Sequence, residues 1–151
     1  MKVYKSKVST MAYGLFFITA ALLILPVFVF EDITTEDLKD SGFWGYLGLV
    51  CLVLIAFSTI LFFTSYTIKD GFLKHRSGPF YGKMKIGNIQ KIMYHSGVLV
   101  PVMYRPATAT VGVIIKYNAY DDIYFSPEDR DTFVADLLKI NPEIEVVKSE
   151  K

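Results

Sequence analysis

The chain has 151 residues, of which 52% are hydrophobic and 21% charged, and its net charge is +1. Near-neutrality argues against a bulk electrostatic partner such as nucleic acid. The lone cysteine, Cys51, excludes an internal disulfide and a cysteine-rich zinc site.

In chain order, Lys2, Lys5 and Lys7 precede a charge-free run from Val8 to Phe30. A hydrocarbon core of ~30 Å needs about 20 such residues, so this run predicts a membrane span, with Pro26 tolerated near its far end. No small-residue cleavage site follows, which argues against a removed signal peptide. The next stretch, EDITTEDLKDSG, holds five acids against Lys39. A second uncharged run follows, with its apolar heart from Phe43 to Phe63 and Trp44 and Tyr46 at one end, as at a membrane interface. Lys69, Lys74, Arg76, Lys83 and Lys85 come after it. Lys and Arg stay on the cytoplasmic side. The expectation is a transmembrane hairpin over residues 1–63, with spans at 8–30 and 43–63 and an acidic outer loop at 31–42. Both termini are then cytoplasmic and the protein lies in the cell membrane. The spans hold no Asp, Glu, Lys, Arg or His, which argues against a pump or intramembrane hydrolase.

From Thr64 the texture changes to short alternating segments, predicting a head over 64–151. In SYTIKDGFLKHR, Asp70-Gly71 suits a two-residue type I′ turn. That register places Ile68 opposite Leu73 and Tyr66 opposite His75, all on one face, with Lys74 and Arg76 on the other. FYGKMKI, IQKIMYH, TVGVIIKYN and DDIYF read as further strands. Between the second and third of these lies VLVPVMYRPATA (98–109), apolar and broken by prolines. It either covers the core, dips into the membrane interface or receives a partner. Tyr104 and Arg105 within it are residue types enriched at binding hot spots.

The stretch YDDIYFSPEDRDTF packs five carboxylates into fourteen residues. It reads as a strand-to-helix corner rather than an acid/base pair: Ser126 as N-cap, Pro127 at the first helical position, Asp129 at the capping-box position. Phe133, Val134, Leu137 and Leu138 then form one apolar helix face, and Asn141-Pro142 ends it. IEVV is a last extended piece. The fold class is therefore α+β: a bent antiparallel sheet or open barrel with a C-terminal capping helix, preceded by the two-helix hairpin.

YTIKDGFLKHRSGPFYGKMKIGNIQKI and IIKYNAYDDIYFSPEDRDTFVADLLKINPEIEV together resemble the YyaB-like bacterial PH-domain proteins. In these, a small pleckstrin-homology-like head follows two membrane spans. The resemblance covers Thr64 to Val147 and implies a fold but no catalytic residues. His75 departs from it, since an apolar residue is expected there.

No Gly-rich phosphate loop, HExxH or GxSxG is present. His75 and His95, the only histidines, lack neighbours at metal-ligand spacing. No enzyme activity, metal or cofactor is expected. The candidate binding residues are Lys74, Arg76, Lys83 and Lys85, with Tyr104 and Arg105. The expected partners are the bilayer and either anionic lipid headgroups or a membrane protein; a eukaryotic PH domain uses basic residues near its first hairpin in this way. The alternative is a membrane-protective protein, like a bacteriocin immunity factor, acting through its spans and acidic loop.

Overall fold

The computed structural model describes residues 1–29, 40–118 and 120–148. Residues 31–39 of the expected acidic loop lie outside the described residues. Among the described residues the elements run β1 (Lys2–Lys5), α1 (Thr10–Val29), α2 (Ser41–Phe62), β2 (Ser65–Lys69), β3 (Phe72–Ser77), β4 (Phe80–Lys85), β5 (Ile89–Ser96), β6 (Val111–Tyr117), β7 (Asp121–Phe125), α3 (Arg130–Ile140) and β8 (Glu145–Val147). The head is thus α+β.

The sheets are β1-β2-β3-β4 and β7-β6-β5-β8, antiparallel except that β8 runs parallel to β5. The β2–β3 turn is as the Asp-Gly signal predicts. Asp70 and Gly71 both have positive φ, 54° and 74°, and Ile68 faces Leu73 while Tyr66 faces His75. These four side chains are buried. The core between the sheets joins them to Ile92, Val113, Ile115, Ile123 and Phe125, and α3 supplies Phe133, Val134 and Leu137. Leu138, placed on the same helix face by the sequence, packs at its edge.

One strand was not foreseen. The basic flank before α1 forms β1, which pairs along β2 from Lys2–Ile68 to Lys5–Ser65. Its other side meets the chain beyond β7 through a Ser6–Pro127 bridge. There Lys7 N donates to Ser126 O at 2.7 Å and Glu128 N to Lys5 O at 3.1 Å. β1 therefore closes one side of the barrel, and β4 and β8 are left as edges. Four residues are too few to show a period, and their role depends on strands more than sixty residues away.

The helix start at the acidic corner also differs. Ser126 is fully buried. Its hydroxyl meets Ser6 Oγ at 2.8 Å and accepts from Thr108 N at 3.2 Å, and its own N–H donates to Tyr66 Oη at 3.1 Å. Ser126 is thus committed to the core, and Pro127 lies in the bridge rather than at the first helical position. Asp129 is the cap instead, accepting from Thr132 N at 3.0 Å, and α3 starts at Arg130. The Thr132 hydroxyl, which donates to the same carboxylate, and then the Thr132 N–H hold the Asp129 carboxyl below its ordinary range.

α2 is long and apolar enough to cross a membrane, by length and composition; the apolar stretch Thr10–Pro26 of α1 is shorter. Leu15, Phe17, Ile18 and Leu22 on α1, with Leu49, Leu52 and Ile55 on α2, are exposed. Asp40 caps α2 by accepting from Gly42 N at 3.1 Å. At the other end the β3–β4 turn packs on the helix: a Cβ at Gly78, which has positive φ, would stand 3.0 Å from Ile60 and Thr59 side-chain atoms. Thr64 Oγ1 lies 3.0 Å from Ser77 Oγ, so the head abuts α2 directly.

Candidate functional site

Strand alternation sends every second residue of β1–β4 away from the core. Three rows of cross-strand neighbours result. Nearest the helix roots are Lys5, Ser65, Arg76 and Tyr81; next come Val3, Thr67, Lys74 and Lys83; furthest are Lys69, Phe72 and Lys85. Six of these residues are cations, and all six are exposed. Only Lys69 has an acid within ion-pair distance among the described residues, Asp70 at 3.7 Å.

The structure thus brings Lys74, Arg76, Lys83 and Lys85 onto one face and adds Lys5 and Lys69. The sequence placed each pair on one strand face. It did not show that the two pairs share a face, because that depends on the turn at Ser77–Pro79. Lys74 stands directly opposite Lys83, a like-charge pair that costs on the order of a few tenths of a kcal/mol. Lys83 Nζ lies 5.8 Å from the Phe72 ring centre, and Arg76 Nε donates to Gly78 O at 3.3 Å.

The middle of this face is a groove of about 530 Å³ whose lining includes Ser65, Thr67, Lys74, Arg76, Tyr81 and Lys83. Tyr81 is 85% exposed, a flat aromatic surface at the rim. The strand beneath it, β4, has no partner on its outer side among the described residues. The groove therefore offers three cations, hydroxyls, an aromatic face and a free strand edge to an anionic ligand.

Tyr104 and Arg105 lie elsewhere. The 98–109 segment wraps over the outer face of the second sheet, where Val100 and Val102 are buried on Ile114 and Tyr124. Tyr104 forms a bridge with Ile123, and its hydroxyl meets His75 Nε2 at 3.1 Å. His75 and Gly82 also border the basic groove, whereas Tyr104 does not line it. Arg105 Nε donates to Val102 O at 2.7 Å, on the side of the head where α1 begins.

His75 is 6% exposed, seated between Tyr104 and Phe125 with ring centres 5.6 and 5.5 Å away. The room for its ring comes from Gly82 across the ladder, where a Cβ would lie 2.5 Å from His75 Cε1. Its Nδ1 has no partner among the described residues. Burial pushes its pKa below the ordinary value, because a protonated ring would carry an unmatched N–H and a charge into the core.

The five carboxylates of the corner do not converge. Asp121 accepts from Asn118 Nδ2 at 2.9 Å, Asp122 faces Lys116 in register, Asp131 accepts from Tyr94 Oη at 2.7 Å, and Asp129 is the cap. Burial, and then the bond to Asp131, raises the Tyr94 pKa to about 12. Among the described residues no group of three or more His, Cys, Asp or Glu side chains is placed to hold a metal ion.

No curated protein and no solved structure matches the chain. A family model described as Bacterial PH domain matches residues 64–141, from the end of α2 to the end of α3. The match takes in β2 to α3, the strands that carry the basic groove and the helix that plugs the barrel, and by it the chain belongs to the bacterial PH domain family.

Proposed function

We infer that the protein is a non-catalytic binding module, held in the cell membrane by α1 and α2, whose basic sheet face takes an anionic partner on the cytoplasmic side. The observation that carries this is the six-cation face with its groove.

The membrane part has two supports. Each helix, at 20 and 22 residues, is about 30 Å long or slightly more, the thickness of a hydrocarbon core, and exposes large apolar side chains that water would disfavour. Second, β1 pairs with β2, so the chain entering α1 and the chain leaving α2 are on the same side. Two crossings satisfy that pairing, and the lysines of both flanks favour the cytoplasm. This layout suits the YyaB-like branch of the family.

Of the anionic partners, an acidic extended protein segment fits best. A free strand edge accepts a strand by backbone hydrogen bonds, and the cations extend ~13 Å along β2, more than a Debye length of about 8 Å. Anionic headgroups are the second reading, favoured by Lys5 and Arg76 in the row next to the helix roots.

The test is photo-crosslinking in cells from a reactive amino acid replacing Tyr81 in the full chain. A discrete protein adduct is expected, reduced at least about tenfold when Lys74, Arg76, Lys83 and Lys85 are all changed to Glu, the effect of losing ~1.4 kcal/mol or more of binding. Adducts to lipid alone would favour the headgroup reading. An adduct pattern untouched by the charge reversal would remove the basic face from the function.

A further inference from the structure

A second groove, of about 330 Å³, lies where α1 enters the head. Its walls include Met11 and Leu15 of α1, Val98 and Val100 of the 98–109 segment, and Tyr124, with Arg105 among the lining residues. It is separate from the basic face, which lies on the other sheet. We propose that this groove seats one anionic phospholipid of the surrounding bilayer, an acyl chain against Met11, Leu15 and Val98 and its phosphate at Arg105. The proposal rests on the reading of α1 as a membrane span.

The groove is held open by a buried polar network. Ser9 N donates to Thr108 O at 3.0 Å, Thr108 Oγ1 donates to Lys7 O at 2.9 Å, and Thr108 Oγ1 lies 3.0 Å from Ser6 Oγ. Tyr66 Oη, fully buried, donates to Pro106 O at 2.8 Å. These bonds fix the segment against the root of α1. The wall it presents is therefore built into the fold.

Three observations select a lipid. The groove runs along the first turns of an apolar helix, where Met11 and Leu15 are exposed; its apolar surface is continuous with the surface that faces hydrocarbon under the membrane reading. Val98 and Leu99, beside it, are exposed as well, Leu99 at 89%. Apolar side chains at that level are unfavourable in water and favourable in the interface. Arg105 supplies the charge: its Nε is spent on Val102 O, it has no acid within ion-pair distance among the described residues, and its remaining guanidinium N–H groups suit a phosphate. The volume is at the small end of ligand pockets, enough for a chain segment and not for a whole diacyl lipid, whose remainder stays in the bilayer.

The test uses the full chain in lipid nanodiscs containing trace phosphatidylglycerol or phosphatidylcholine with a photoactivatable acyl chain, read by peptide mapping. The expected result is labelling around Met11–Leu15 and Val98–Arg105 about fivefold stronger with the anionic probe, the preference one cation supplies at an anionic surface. Arg105→Gln removes that preference, Arg105→Lys keeps it, and millimolar inorganic phosphate does not compete. Equal labelling by both probes, or a preference indifferent to Arg105→Gln, overturns the site; displacement by phosphate assigns it to a free anion and overturns it too. Labelling of Phe17, on another side of α1 from Met11 and Leu15, and of Leu22, about two turns beyond Leu15, separates the two levels. If it is present without groove preference, only the lipid site fails. If it is absent, the membrane reading fails and the site with it.

Discussion

His75 is the residue at which the sequence and the fold disagree most. Its strand position is a core position, and the family resemblance predicts an apolar side chain there. The chain keeps a histidine by giving it Gly82 as a seat, Tyr104 as a hydrogen-bond partner and Phe125 as a tilted aromatic neighbour. The register that buries it was legible from Asp70-Gly71. Its partner was not, because Tyr104 lies 29 residues on in a segment without period. Since the native pKa is lowered, the unfolded chain binds the proton first. Stability is then full above the ordinary value of 6.5 and falls as pH drops below it. Denaturation of the purified protein across pH 7.5 to 5 is expected to show that decline, and His75→Phe is expected to flatten it. An identical slope in the variant would mean that another group carries the pH dependence.

Among the elements, α3 holds β1 in place. Lys2 Nζ lies 2.5 Å from Asp136 Oδ2, Tyr4 Oη donates to the same carboxylate, and Lys139 Nζ lies 2.8 Å from Oδ1. Asp136 is buried in α3, and Tyr4 stacks edge-on against Phe133 at 5.2 Å. α3 thus clamps β1 by a polar latch and an aromatic contact. The bonds from Lys139, Lys2 and Tyr4 hold the Asp136 carboxyl well below its ordinary range. Their contribution is complete above the usual carboxylate pKa and is lost as pH falls toward the native value. Asp136→Asn is expected to loosen β1 selectively: amides of Lys2–Lys5 exchange faster while those of β5 and β6 are unchanged. Equal loss of protection in both sheets would show that Asp136 stabilises the whole head rather than the strand.

The face of α3 was legible because Phe133, Val134 and Leu137 repeat at helical spacing. Its first residue was not. Ser126 and Asp129 are both good caps, and local sequence cannot say which one the core will claim. Likewise KVYK carries no sign of being a strand; its ladder partner lies beyond both apolar runs.

At the scale of the molecule, the helices are inserted between the first and second strands of the barrel. One consequence is that the head cannot be cut at residue 64 without losing the strand that closes it. Another is that α1 and α2 are rooted side by side in one sheet. Lys5 and Ser65, in the first row of the basic face, stand next to those roots. The apolar runs and the basic flanks were plain in the sequence; their joining through β1–β2 was visible only in three dimensions.

The most direct test of this arrangement is one crosslink in native membranes. Val3→Cys and Thr67→Cys are placed in the full chain with Cys51→Ser, at positions paired across β1 and β2 and so within reach of a disulfide. After mild oxidation and an alkaline wash, an intramolecularly crosslinked chain retained in the membrane pellet is expected. A chain that stays uncrosslinked, or that is stripped from the membrane by the wash, would contradict it.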